Sequence, residues 1–269
     1  RRMSAALVVR PPVPALRVFA ALLRRDAHAA VRELPFFLVR TVLQPILFVV
    51  VFGYLMPRMG FVSRGYGAAL LPGILAISMT LSSIQAVALP MVADFGWTKE
   101  IEDRLLAPAP IRLVALEKMV SGLIQGVIAA AFVLPVARLI MGPIPALNFS
   151  HAGDIAAVAI LGAAAFSALG LLMGTAINPQ QIGLMFSVII APMIFLGCAY
   201  YPWKGLDAVP VLKYVVLINP LVYVSEGLRG VLTPSLPHMP LAAVVVALVV
   251  MTVGFGLVGL RSFERRALG

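Results

Sequence analysis

Residues 241–260 read LAAVVVALVVMTVGFGLVGL, a run without a single ionisable side chain. A helix needs about 20 such residues to cross a hydrocarbon core. A helix that is apolar on every side has no face to offer water. Five further stretches approach the same character, and between them too little polar sequence remains to coat a soluble domain. The chain is 61% hydrophobic and 12% charged, with a mean hydropathy of +1.02. Those values exclude a soluble fold and point to an all-α polytopic membrane protein.

Six spans are expected, at about residues 35–56, 67–92, 119–141, 154–177, 182–201 and 241–260, forming one membrane domain over 35–269. Arg40 lies near the start of the first, where it can snorkel, and Pro45 is expected to kink it. The second contains Pro72 and Pro90 and a polar stripe of Ser78, Ser82 and Gln85. Such a stripe serves either interhelical hydrogen bonding or a substrate path, the first being the commoner use. Gly122 and Gly126 in the third span, and Gly162, Ala165, Gly170 and Gly174 in the fourth, are small residues that let helices approach closely. Asn178 to Gln181 leave room only for a hairpin. Tyr200, Tyr201 and Trp203 are placed as an interfacial aromatic belt. Residues 202–240 then hold two short apolar segments, 209–218 and 221–232, separated by Asn219 and Pro220. Neither is long enough to span, so they are expected to dip in and return.

Residues 1–34 are basic. From about Val13, Leu16, Phe19, Leu23, Ala27, Ala30 and Leu34 recur at three or four, with Arg17, Arg24, Arg25, His28 and Arg32 on the other side. That periodicity predicts an amphipathic interfacial helix, its arginines among lipid headgroups. A solvated helix is the alternative. No short apolar core with a small-residue cleavage site precedes Pro35, so no signal peptide is expected. The net charge of +10 comes mainly from this end and from segments flanking spans, which favours anionic lipid over nucleic acid.

Counting Lys and Arg by side gives the orientation. With the N-terminus inside, one side carries Arg1, Arg2, Arg10, Arg17, Arg24, Arg25, Arg32, Lys99, Arg104, Arg112, Lys118, Arg261, Arg265 and Arg266. The other carries Arg58, Arg64, Lys204, Lys213 and Arg229. The positive-inside rule then places both termini in the cytoplasm, in the inner or plasma membrane.

Little suggests catalysis. His28, His151 and His238 have no zinc-ligand spacing, no G-x-S-x-G is present, and the single Cys198 excludes a disulfide within the chain. A carrier driven by protons or sodium usually shows ionisable groups deep in its spans. Here Arg40, Arg138 and Asp154 lie near span ends, and no G-x-x-x-x-G-K-S/T loop is present to bind ATP. Energy would have to come from a partner.

The place for that partner is residues 93–118, a charged island carrying five of the chain's eleven acidic residues. Thr98 can cap a short helix with Glu100, Glu102 and Asp103 in its first turn, ended by Pro108 and Pro110. Ile101 and Leu105 give it a small apolar face. A solvated mixed-charge loop is the plainer alternative. Glu100, Arg104, Leu105, Leu106, Ala107 and Pro108, in the pattern E-x-x-x-R-L-L-A-P, resemble the coupling segment of ABC-2 type permeases. Asn219, Pro220, Leu221, Tyr223, Glu226, Leu228, Arg229 and Leu232 resemble that family's N-P-L-x-Y-x-x-E-x-x-R-x-x-L stretch before the last span.

The resemblance implies a permease subunit of an ATP-driven exporter, with no catalytic residue, metal or cofactor on this chain. ATP and Mg would sit on separate ATPase subunits, two per complex, beside a second permease copy or paralogue. Glu100, Ile101, Glu102, Asp103, Arg104 and Leu105 would dock the ATPase, and Tyr223, Glu226 and Arg229 would stand in the external gate region. A local ion pair is an equal expectation for Glu226 and Arg229. Ser78, Ser82, Gln85, Met185, Phe186 and Met193 are expected on the substrate path. An uncharged path suits a hydrophobic or amphipathic cargo such as a drug, lipid or lipid-linked glycan. A self-contained carrier or channel, or an intramembrane enzyme acting on lipids, is the alternative function.

Overall fold

The computed structural model describes residues 15–32, 43–63, 65–96, 110–144 and 146–268. Its described residues are helical, with no strand among them. An amphipathic α1, Ala15–Arg32, is followed by α2, Leu43–Arg58, a shorter apolar helix. Then come α3, Tyr66–Gly96; α4, Ile111–Met141; and α5, Ala152–Ala176. Residues 182–195 form α6. The segments α7, Pro210–Ile218, and α8, Pro220–Leu232, meet at 100°, and α9, Leu241–Leu268, closes the chain. Among the described residues, α3, α4, α5 and α9 are long and apolar enough to cross a membrane, and the bent pair brings that number to at most five.

The core is organised around α3, whose apolar window is 89% buried, against 17% for α9. It continues through Pro72 and Pro90, which a helix walled in by neighbours tolerates. Small residues let those neighbours close in. A Cβ at Gly122 would strike Val87, one at Gly126 would strike Ser83, and one at Gly174 would press on the Ala88 backbone. The expected small-residue contacts are therefore packing contacts, those of α4 and of α5 both against α3.

Contacts between helix ends give the bundle two distinct poles. At one, here called the base, Phe95 of α3 meets Phe263 of α9, and Arg112 of α4 pairs with Glu264. There too Gly96 abuts Pro179, and Arg266 reaches the Thr175 carbonyl of α5. At the far pole Gly53 and Gly67 abut Met141, the Tyr66 hydroxyl donates to the Tyr200 carbonyl at 2.7 Å, and Asn148 N–H donates to the Leu232 carbonyl at 2.8 Å. Successive long helices thus run in alternating directions, and α5 and α9, both ending at the base, run parallel.

Several boundaries differ from expectation. The charged island begins later and ends sooner, because Ala93–Gly96 still belongs to α3 and 111–118 form the first two turns of α4. Each helix has 31 residues, about 46 Å at 1.5 Å per residue, and so overhangs a ~30 Å hydrocarbon core. Lys118 is buried within α4, where it pairs with Asp26 of α1. Helix α4 ends where Gly142 takes φ +78°, its N–H bonding the Arg138 carbonyl at 3.0 Å. In α2 a π-helical stretch, Val49–Leu55, departs from α geometry beyond Pro45.

The fifth apolar segment is shorter than the expected 182–201. A second π-helical stretch, Met185–Ile190, interrupts it, and it stops at Phe195. The chain then turns through Cys198, whose φ of 52° is left-handed. Two members of the expected aromatic belt also pack on protein. The Tyr200 ring lies 5.3 Å from Phe48 and 5.9 Å from Phe52, and the Trp203 indole N–H donates to the Lys213 carbonyl at 3.0 Å.

Candidate functional site

The base surrounds both ends of the segment expected to dock an ATPase. Glu100, Ile101, Glu102, Asp103, Arg104 and Leu105 themselves lie outside the described residues. At the base, Val87, Met91, Val114, Ala115, Leu171 and Phe263 form a small buried apolar cluster, with Leu22 of α1, Phe95, Ile111, Met119 and Leu260 against it. The side of α1 bearing Leu22 and Asp26 thus rests on the bundle, a contact that the predicted apolar face, written through Phe19, Leu23 and Ala27, does not include. Burial opposes the charge of the Asp26 carboxylate. The hydrogen bond and charge of Lys118, joined by Arg25, outweigh that and hold its pKa below the ordinary 3.8. The opposite side of α1 exposes Arg24, Arg25 and His28 around an open recess.

Halfway along α3, the polar stripe is used for packing. Ser78 is fully buried and its hydroxyl donates to the Ile74 carbonyl at 2.9 Å, one turn back. Ser82 donates across to the Gln125 carbonyl of α4 at 3.1 Å, and the Gln125 amide donates to Ser121 at 3.2 Å. Gln85 is half-buried. On α6, Met185 and Met193 are buried in the main core, while the side chain of Phe186 lies outside those described. Of the expected path residues, Ser78, Ser82, Met185 and Met193 are buried within the single chain.

Among the described residues, the far pole holds the densest polar constellation. Glu226 and Arg229, one turn apart on α8, form an ion pair with no exposed side-chain surface. One carboxylate oxygen of Glu226 also accepts from Trp203 N–H, and the other from Met239 N–H, each at 2.9 Å. Arg229 donates to the Cys198 carbonyl at 2.9 Å and to the Ala69 carbonyl at 3.3 Å. The turn after α6, the start of α3 and the approach to α9 therefore meet at two side chains of α8. Helix α8 is itself capped by Asn219, whose side chain accepts from Leu221 N–H at 2.9 Å and donates to the Met193 carbonyl at 2.7 Å. The Tyr223 hydroxyl donates to the Leu217 carbonyl at 2.9 Å, closing the angle between α7 and α8.

Tyr223, Glu226 and Arg229 are thus brought to one place, and the local i,i+3 pair is present as well. Sequence reading missed Glu264 and Arg266. Arg261, Arg265 and Arg266 all fit a simple charge-sidedness rule, but only Arg266 is half-buried while the other two are exposed. The signal available was the i,i+3 spacing of Phe263 and Arg266, which continues the face of Gly256 and Gly259 that packs on α5.

Residues 17–233 match the family described as ABC-2 type transporter. Among curated proteins none matches the chain. The match covers both motifs, the charged island and the α8 stretch, together with most of the helical bundle. The chain belongs to the ABC-2 type transporter family, in which the membrane domain is the permease and ATP hydrolysis is the work of a separate subunit.

Proposed function

We propose that the chain is the permease of an exporter that moves a hydrophobic or amphipathic molecule, a drug, lipid or lipid-linked glycan, out across the inner or plasma membrane. Two permease copies, or one with a paralogue, work with two ATPase subunits that hold ATP and Mg. The observation that carries the reading is the alternation of helix direction. It brings Phe95 and Arg112, which bracket residues 97–109, to the pole that also collects Arg24, Arg25, Lys118, Arg261, Arg265 and Arg266. With that basic pole in the cytoplasm, α2, α3, α4, α5, α6 and α9 make six crossings and both termini lie inside.

Two further features support the assignment. Charges on α3, α4, α5 and α9 are confined to helix ends, so these four helices carry no ionisable relay of the kind a self-powered carrier uses. On α6, Met185, Ile190, Met193 and Ile194 are buried, while Leu184, Ser187, Val188, Ile189 and Phe195 are exposed, a face suited to a second permease copy across the path. Ser78, Ser82, Gln85, Met185, Phe186 and Met193 would border that path. Tyr223, Glu226 and Arg229 would stiffen its outer gate.

Docking is tested by charge reversal at Glu100, Glu102 and Asp103. Copurification with the ATPase should be lost while the permease remains monodisperse, and unchanged copurification would remove the docking role. Transport by the permease alone in liposomes would overturn the ATP-driven reading.

A further inference from the structure

The family match ends at residue 233, so the last turns of α9 lie outside it. Three residues there each hold a different helix end. Phe263, fully buried, meets Phe95 edge to face with ring centroids 5.7 Å apart. Arg266 lies over the same Phe95 ring at 4.9 Å and donates to the carbonyls of Thr175 at 2.9 Å and Ile177 at 3.0 Å. Glu264 pairs with Arg112, accepting from both Nε and an Nη.

Phe95 is the penultimate residue of α3, Arg112 the second of α4, and Thr175 and Ile177 stand at the end of α5. One turn of one helix therefore fixes both ends of the docking segment and the end of a third helix. The chemistry suits each grip. An arginine at a helix C-terminus satisfies carbonyls that lack intrahelical partners and meets the negative end of the dipole. An edge-to-face ring pair under a guanidinium adds orientation as well as apolar contact. A charge that served only to mark the cytoplasmic side would need none of these partners.

We propose that the C-terminal turn of α9 is a brace for the docking segment. Phe263, Glu264 and Arg266 hold the ends of α3 and α4 at fixed spacing, so that displacement of residues 97–109 is passed into α5 and α9 instead of spreading the two helices apart. Helix α9 begins just after Met239, whose N–H is held by Glu226. Movement handed to α9 at the base thus reaches the far pole along a single rigid element. These are positioning residues, and the inference rests on the docking reading above.

The test uses the full permease copurified with its ATPase, and measures amide hydrogen exchange with and without ATP and vanadate. In the wild type, nucleotide is expected to change exchange in residues 170–178 and 258–268. Glu264→Arg should lose that response while retaining the ATPase, and the swap Arg112→Glu/Glu264→Arg should regain it. Arg266→Ala should lose it in 170–178. Should Glu264→Arg fail to fold, Glu264→Gln carries the same comparison.

A wild type with no nucleotide response in 258–268, or a Glu264 variant that responds normally, overturns the brace. So does loss of ATPase copurification on changing Glu264, which would make that residue part of the dock itself. Failure of the docking reading registers elsewhere, as unchanged copurification after charge reversal at Glu100, Glu102 and Asp103.

Discussion

Glu226 and Arg229 are bonded to each other in full burial, and between them they also bind four backbone groups from three distant segments. Removing one member of a buried pair strands the other charge, at a cost of about 3–5 kcal/mol. Arg229→Met should therefore lower the melting temperature in detergent sharply. Adding Glu226→Gln removes the stranded charge and should recover much of the loss. Gln offers only one oxygen to the two N–H groups of Trp203 and Met239, so recovery stays incomplete. Strictly additive losses across the cycle would show that the two residues act separately.

The Asp26 link between α1 and α4 has a defined pH window. Its folded pKa lies below the ordinary 3.8, so the stability it contributes is complete above that value. It fades as pH falls through 3.8 toward the lower folded value. Melting midpoints of wild type and Asp26→Asn should differ by a constant amount at neutral pH and converge below 3.8. A gap that persists unchanged at pH 3 would mean that the carboxylate charge is irrelevant to docking α1.

Much of this architecture is legible in sequence, for reasons particular to its elements. Residues 152–176 and 241–260 are recognisable because apolar runs alone define them, and α8 because Asn219 and Pro220 mark its start. The early stop at Phe195 is not legible. It depends on the turn through Cys198, whose carbonyl is held by an arginine 31 positions away. Nor is the inward packing of Tyr200, whose ring partners Phe48 and Phe52 lie on α2. The run from Ile111 to Lys118 is legible as a second helix leading into the next span, but the burial of Lys118 is not, since its partner Asp26 lies 92 residues away. The polar stripe was legible as a stripe, but its partner was the Gln125 backbone, which has no sequence signature.

Two glycines should respond oppositely to alanine. At Gly73 a Cβ would overlap the carbonyl group of Ala199, a backbone obstacle that cannot rotate aside. The far turn would have to lift off α3, at a cost on the order of 1–3 kcal/mol. At Gly254 on α9 nothing lies within 4 Å, so alanine gains helix propensity of roughly 0.5–1 kcal/mol without a collision. Thermal midpoints of the two variants measured in one detergent check both signs. Equal tolerance at the two positions would contradict the close approach at Gly73.

Asn219 joins two functions that a graded substitution separates. Its oxygen caps α8 through Leu221 N–H, and its amide ties the cap to the Met193 carbonyl on α6. Serine keeps a capping oxygen but is too short to reach Met193, whereas alanine loses both bonds. A lost cap costs about 1 kcal/mol. The buried Met193 carbonyl, left without its donor, adds a desolvation cost of about 1–3 kcal/mol. Asn219→Ser should therefore fall between wild type and Asn219→Ala in melting temperature. Exchange at residues 190–195 should rise equally in both variants, because only the Met193 bond concerns that segment. Exchange in the first turn of α8 should rise in the alanine variant alone. If serine matched wild type at 190–195, the 100° bend between α7 and α8 would be held without the Asn219 tie to α6.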